Sequence, residues 1–503
     1  MLPTLIEILD TSVANVALPH IQGSLSASQD EVTWVLTSYL VSNAIVIPMS
    51  GWLARTMGRK RYLIGSLIAF TASSLLCGWA TGLTEMIVFR VIQGVGGGGL
   101  QPMSQAILLE TFPPEERGLA MGIFGMGAVL GPVLGPLLGG FLTDNYSWRW
   151  IFYINLPIGL IAIALISSFV FDPAYQERRA SGEEIDYMGI ALLTVGLGSL
   201  QIVLDKGQRD DWFSSHFILT LTILAFVCLT VLIYWELRQD RPILDLRIFK
   251  DRSFATGNLV MFFTFFAFFG SIVLLPLYLQ TLMGYTAYLA GLVLGPGAAL
   301  TVVVLPLAGK LTERIDGRWL LFTGLLITGY SCYYMSGFNG LIDFRTAVTG
   351  RLIQGIGMPL IFVTVAFVTM AYVPKEKMNN ASAIFNLLRN LGASFGTAFI
   401  STMLEWREQF HQSRLVDHLT QFNPSLAISL RQMKSYLDMQ MGAFAGHTKL
   451  AMQAIYVELR RQAALLSFND VFFLEAVILV ALAGVVWIMR KPPVRRNQPR
   501  PME

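Results

Sequence analysis

Apolar stretches long enough to cross a lipid bilayer recur from one end of this chain to the other. A spanning helix needs about 20 predominantly apolar residues. Such runs fall at 2–22, 32–54, 62–80, 84–108, 118–142, 149–171, 187–204, 214–236, 253–280, 286–310, 318–338, 344–372, 378–403 and 468–489. Composition agrees: 54% of the 503 residues are hydrophobic and 14% are charged, against roughly 25% charged in soluble chains. Lipid accepts so much apolar surface and water does not. The expected fold class is an all-α membrane protein with fourteen transmembrane helices.

Orientation is read from the basic residues. Arg55, Arg59, Lys60 and Arg61 follow the second run, Arg117 the fourth, and Arg178 and Arg179 the sixth. Lys310, Arg314 and Arg318 follow the tenth, and Lys375 and Lys377 the twelfth. Short cytoplasmic loops hold the excess of Lys and Arg, so both termini are expected in the cytoplasm. The first run continues into a motif-bearing segment without an A-x-A site, so a cleavable signal is not expected.

The chain also repeats itself. Pro48-Met-Ser-Gly51-Trp-Leu53 returns as Pro306-Leu-Ala-Gly309-Lys-Leu311, an offset of 258. Arg90-Val-Ile-Gln93-Gly94-Val-Gly96 returns as Arg351-Leu-Ile-Gln354-Gly355-Ile-Gly357, an offset of 261. Three such matches in order, the third being Pro114 to Pro374, imply two parallel halves related by an axis along the membrane normal. The expected division is a six-helix half at 1–171, an inserted two-helix linker at 172–252, and five spans of the second half at 253–403. An extracytoplasmic helical loop at 404–467, the last span at 468–490 and a basic cytoplasmic tail at 491–503 complete it.

The motifs resemble the major facilitator superfamily, and within it the fourteen-span drug:proton antiporters of the EmrB/QacA subfamily. The resemblance rests on Leu9-Asp10-Thr11-Ser-Val-Ala-Asn15-Val-Ala-Leu18-Pro19, on Trp148-Arg-Trp-Ile-Phe-Tyr-Ile-Asn155-Leu-Pro157-Ile-Gly159, on Leu204-Asp-Lys-Gly207 and on Asn386-Leu-Leu-Arg389-Asn-Leu-Gly392. It implies a major facilitator fold of two six-helix halves plus two inserted helices. It also implies a proton-coupled antiporter that exports amphipathic drugs or toxic organic compounds by alternating access, with protons as coupling ion, no cofactor and no enzymatic activity.

Polar residues inside the apolar runs are the candidate machinery. Glu7 and Asp10 lie one helical turn apart on one face of the first run. An intramembrane acid is costly unless it is neutral, paired or hydrated, which makes it a functional candidate. At about 1.5 Å per residue from Met1, Asp10 is expected near the midplane. Arg90 must face a cavity or an acid; its guanidinium stays charged, so it suits tuning a carboxylate better than carrying a proton. These three residues are the expected proton-coupling set, a role the resemblance supports for the acid and the arginine. Ion pairing and helix packing are the structural alternatives.

Gly122, Gly131, Gly135-Pro136 and Gly139-Gly140 reproduce the antiporter-motif spacing G-x8-G-x3-GP-x2-GG of the resembled superfamily. Small residues every fourth position permit close helix contact. Gly51, Arg55, Gly58 and Arg59 fall in a loop that resembles the superfamily's cytoplasmic gating motif, except that Arg55 stands where an Asp is usual. Arg59 or Lys60 is expected to pair with a span-end acid such as Glu110. Gln93, Asn386, Arg389 and Glu475 are candidates for the substrate path, with structural polar contacts as the alternative.

Other chemistries find little support. Gly94-Val-Gly96-Gly-Gly-Gly99 matches G-x-G-x-x-G formally, but it lies inside an apolar helix with no strand before it. A nucleotide-cradling G-x-x-x-x-G-K-[ST] is absent, and neither the five histidines nor the three cysteines have metal-ligand spacing. The expected partners are membrane lipid, a small drug-like substrate, a periplasmic adaptor (membrane-fusion) protein and an outer-membrane channel, and no nucleic acid. The expected location is the bacterial inner membrane. Two other functions stay open: a dedicated exporter of one siderophore, lipid or antibiotic on the same scaffold, and a non-transporting sensor.

Overall fold

Backbone groups in lipid must find partners within their own segment, so long apolar runs become helices. The computed structural model describes residues 1–113, 116–172, 185–240, 242–420, 423–441 and 447–491, and among these there is no strand. The first half contains α1 (Leu2–Ser24), α2 (Gln29–Val32), α3 (Trp34–Met57), α4 (Arg59–Trp79) and α5 (Leu83–Gly97). It continues with α6 (Leu100–Thr111), α7 (Arg117–Asn145), α8 (Trp150–Tyr153) and α9 (Asn155–Phe169). The inserted pair is α10 (Tyr187–Lys206) and α11 (His216–Arg238). The second half comprises α12 (Arg252–Thr281), α13 (Ala287–Arg314), α14 (Gly317–Met335), α15 (Phe344–Met370), α16 (Met378–Val416), α17 (Pro424–Met441) and α18 (His447–Val485).

This is a multi-pass membrane protein. Nine helical stretches among the described residues are long and apolar enough to cross a bilayer. Helices also stand at the other five expected positions, as α1, α5 with α6, α7, α14 and α16. The fifth and sixth helices are one expected span divided at Gly98-Gly99. The apolar shell follows depth in the bundle: 83% of the α15 window is buried against 17% of the α11 window. Helix α15 therefore runs through the core, and α11 turns its apolar side chains, such as Phe226 at 73% exposure, to lipid.

Packing repeats as the sequence does. Within the first half α1 packs on α7, α3 and α4 on α5, and α4 on α9; within the second, α12 packs on α16, α13 and α14 on α15, and α14 on α18. The halves meet along two seams that are images of each other, α3 with α16 and α13 with α7. Cross-half contacts lie toward the end of the bundle bearing Arg59, Arg117, Lys310 and Lys377, here called the basic face. A Cβ on Gly51 would stand 3.1 Å from the backbone of Asn379 and Asn380, and one on Gly309 would stand 2.6 Å from the Gly118 carbonyl. Phe124 stacks on Phe362, and the Asn386 amide donates to Gln105 at 2.5 Å. Toward the opposite face, Gly140 on α7 and Gly291 and Gly295 on α13 meet nothing within 4 Å.

The expected boundaries at 403/404 and 467/468 are not breaks, because α16 and α18 run through both. Each has 39 residues, roughly 58 Å of helix against a hydrocarbon core of about 30 Å. Polar pairs hold the projecting parts together: Asp470 accepts from Arg407 at 2.7 Å and lies 2.6 Å from His411, and Gln412 donates to Tyr456 at 2.8 Å. Helix α17 packs back on α18. The basic tail from 492 onward, and residues 173–184 within the linker, lie outside the described residues.

Candidate functional site

The first half closes around Asp10. Arg90 Nη1 donates to Asp10 Oδ2 at 2.6 Å, while Gln93 and Asn155 donate to Oδ1 at 2.9 and 2.7 Å. Three donors on one carboxylate suit its ionised form. Each side chain reaches the point from a different helix or turn: Asp10 from α1, Arg90 and Gln93 one turn apart on α5, and Asn155 from the first residue of α9. A second layer fixes the first. Arg90 Nε donates to the Val35 carbonyl at 3.0 Å, Nη1 donates to Gln93 at 2.8 Å, and the guanidinium stacks 4.2 Å over Tyr39. Asn155 also donates to Ser74, whose hydroxyl donates to the Phe152 carbonyl at 2.8 Å. Asp10 is 2% exposed, and Arg90, Gln93 and Asn155 are fully buried. Removing either charge from such a pair strands the other, at a cost of about 3–5 kcal/mol.

The cluster lies about two turns inside the bundle from the face opposite the basic one. Ser74 is five residues from the end of α4 and Arg90 seven from the start of α5, roughly 8–10 Å from those helix ends. Glu7, one turn nearer the basic face, does not join Asp10's donors. Its Oε1 accepts from Asn43 at 2.9 Å, its Oε2 meets no donor of normal geometry although the Gln101 amide acts on the carboxyl, and the residue is 4% exposed. Arg389 of α16 acts on Glu7 electrostatically across the seam, which brings an expected path residue toward an expected coupling residue. Asn386 joins Gln105 as described above. Gln93 belongs to the Asp10 cluster, and Glu475 is 2% exposed among residues of the second half.

The motif glycines have two jobs along one helix. Gly122 on α7 faces the other half, where a Cβ would stand 2.8 Å from the Leu305 carbonyl. Gly131, Gly135 and Gly139 face α1, with Ile8, Ser12 and Val13 inside normal contact distance of an added Cβ. Gly140 faces open space, and the side chain of Pro136 lies outside what is described. Helix α7 therefore touches the acid-bearing helix along one part of its length and the opposite half along another. The run Gly94–Gly99 is likewise a packing surface: a Cβ on Gly94 would fall 2.5 Å from the Tyr39 carbonyl, and one on Gly96 would fall 2.6 Å from the Phe70 nitrogen.

In the basic-face loop Arg59 donates to Glu110 at 2.5 Å, with both side chains buried. Arg55, at the unusual position, donates to the Pro242 carbonyl of the linker at 3.1 Å. Gly58 has φ +89° between α3 and α4, a conformation that favours glycine. Asp172 packs on it and accepts from the Lys60 backbone at 2.8 Å, closing the start of α4. Among the described residues no group of three or more His, Cys, Asp or Glu could hold a metal ion.

Sequence reasoning picked out Asp10, Arg90 and Gln93 but noted Asn155 only as a landmark, and it passed over Asn43, Tyr39 and Ser74. Asn43 carried a usable signal, an amide in the middle of an apolar run. Tyr39 and Ser74 carried none.

Comparison with known proteins places these features. The sequence profile of the Major Facilitator Superfamily matches residues 1–397. The chain is 38% identical over 493 residues to the multidrug export protein EmrB of Escherichia coli strain K12, covering 98% of this chain and 94% of that one. It is 35% identical over 491 residues to the fatty acid resistance protein FarB of Neisseria gonorrhoeae, with 98% and 95% coverage. In fold it is similar to the human organic anion transporter MFSD10, with a TM-score of 0.58 over 95% of this chain and 98% of that one, at 15% identity.

Proposed function

The chain belongs to the major facilitator superfamily, and from that premise we propose that it is a proton-coupled antiporter exporting amphipathic drugs or toxic organic compounds across the bacterial inner membrane. The observation that carries the reading is the buried Asp10–Arg90 pair, 2.6 Å apart in an apolar bundle. Proton arrival at Asp10 neutralises the acid and releases the guanidinium, so the ion pair is a switch whose two states differ in charge. Glu7, with one oxygen meeting no donor of normal geometry and Arg389 acting on it from the other half, extends that switch to the seam.

Seams closed at the basic face and parted at the opposite one are one of the two arrangements that alternating access requires. Inward movement of one charge is worth about 2.3 kcal/mol per 100 mV, about a fifty-fold concentration ratio. Fourteen spans with both termini cytoplasmic is the topology adopted, supported by helices at all fourteen expected positions and by basic loops at one face. The projecting ends of α16 and α18, with α17 against them, would then stand in the periplasm. They offer a surface for an adaptor protein that leads to an outer-membrane channel.

The test is efflux of a cationic aromatic dye from proteoliposomes under an imposed pH gradient. Asp10→Asn is expected to abolish gradient-driven efflux while dye binding persists. Wild-type efflux in that variant would overturn the assignment. A dedicated exporter of one lipid-like compound is the second reading, favoured by full-length similarity to a protein named for fatty acid resistance.

A further inference from the structure

The second half holds a buried acid that the switch at Asp10 does not use. Its setting is an image of the Asp10 cluster. Ser147-Trp-Arg-Trp-Ile-Phe152-Tyr-Ile-Asn155 aligns with Ser467-Phe-Asn-Asp-Val-Phe472-Phe-Leu-Glu475 at an offset of 320. Burial follows the alignment: Trp148 and Phe468 are each 5% exposed, Ile151 and Val471 each 1%, Phe152 and Phe472 each 0%. Asp10 maps onto Ser271 at the offset of 261 that also relates Arg90 to Arg351 and Gln93 to Gln354.

The bonds repeat with the residues. Arg351 Nη1 donates to Gln354 Oε1 as Arg90 Nη1 donates to Gln93. Gln354 Nε2 donates to Ser271 at 2.8 Å, as Gln93 Nε2 donates to Asp10. One feature has changed places. In the first half the acid sits on the first helix and the amide on the last; in the second a hydroxyl sits on the first helix and the acid, Glu475, on the last.

We propose that Glu475 is a second proton-carrying acid, so that each half of the transporter has its own arginine-regulated carboxyl. Neither Glu475 oxygen meets a hydrogen-bond donor of normal geometry, and Arg351 is not in salt-bridge contact with it. The charged and titratable groups that act on it are Arg351 from α15 and the Cys332 thiol from α14. Helix α12 brings Gly270 against it, and Ile400 of α16 packs at the same point. An ionised Glu475 there would be a buried carboxylate with no donor of normal geometry on either oxygen, so the arrangement suits the neutral acid. Release to water leaves a carboxylate that Arg351 can hold, as Arg90 holds Asp10. The ligand is a proton and not a cationic substrate, because the acid is 2% exposed and the groups against it, Gly270 and Ile400, leave no room beside its Oε1 even for a Cβ.

This inference rests on the antiporter reading, and the experiment separates the two. For proteoliposomes at zero membrane potential, each coupled proton multiplies the limiting substrate ratio tenfold per unit of pH difference. Glu475→Gln is expected to lower the wild-type limiting ratio tenfold at a difference of one unit, and Glu475→Asp to restore it. A wild type that builds no ratio overturns the antiporter reading. A wild type that builds one, with Glu475→Gln reaching the same value, overturns the role of Glu475. Where Glu475→Gln is unfolded or inactive, the wild type decides: dicyclohexylcarbodiimide, which modifies protonated carboxyls in lipid, is expected to label Glu475 at pH 6, and absence of that adduct refutes the proposal.

Discussion

Adding one methyl group at Gly122 is expected to force the seams apart. A Cβ there would stand 2.8 Å from the Leu305 carbonyl oxygen, 3.3 Å from its carbon and 3.4 Å from Pro306 Cα. All three are backbone atoms, so no rotamer change relieves the contact, and α7 and α13 must separate by about half an ångström to reach normal spacing. Overpacking of this kind costs about 1–3 kcal/mol. The contact exists only while the basic face is closed, so the cost falls on one conformation and shifts the balance between the two by about 5–150-fold. Spin labels at the exposed positions Arg61 and Glu376, one in each half, read that balance as a distance distribution. Gly122→Ala is expected to populate a longer distance than the wild type in the same detergent. A distribution unchanged from wild type would show that α7 and α13 do not form the closing contact.

Two further predictions concern the basic face. Glu110→Gln leaves the buried Arg59 without its acid and is expected to cost about 3–5 kcal/mol, read as a fall of several degrees in the tryptophan-fluorescence melting temperature; an unchanged melt would refute a buried pair. Burial opposes the charge on Asp245, but the Lys377 ammonium at 2.8 Å outweighs it and holds that carboxyl below its ordinary value of 3.8. The link between the linker and α16 is therefore present above that value and is lost as pH falls through the lower folded one. Lys377 is half exposed, so the link is worth under about 1 kcal/mol. The melting difference between wild type and Lys377→Met should shrink below pH 4; a constant difference would refute it.

The long apolar helices and the repeat were legible because lipid demands runs of fixed length and because Pro48, Arg90 and Pro114 return at nearly one offset. Asp10, Arg90 and Gln93 were legible because charge and amide groups are rare in apolar helices. Glu475 was visible for the same reason, but its kinship with Asn155 was not. The outer segment between α16 and α18 moves the last helix about 60 positions out of the repeat's register, and the match is Asn to Glu. The helical character of the outer segment was legible, but not that α16 and α18 run into it without a break, since a polar stretch after an apolar run carries no signal for continuity.

The inserted hairpin makes the molecule lopsided. Leu193 and Leu197 of α10 cluster with Ile47 of α3 and Leu387 of α16, and Gln201 donates to Ser394 at 3.1 Å, so a third helix is laid over one seam. Among the described residues, the helices that pack on α7 or α13 at the other seam belong to the two halves. Two bodies strapped along one edge by a third helix are expected to move least along that edge. The α3–α16 edge is then the hinge, and the larger excursion is expected at the α7–α13 edge.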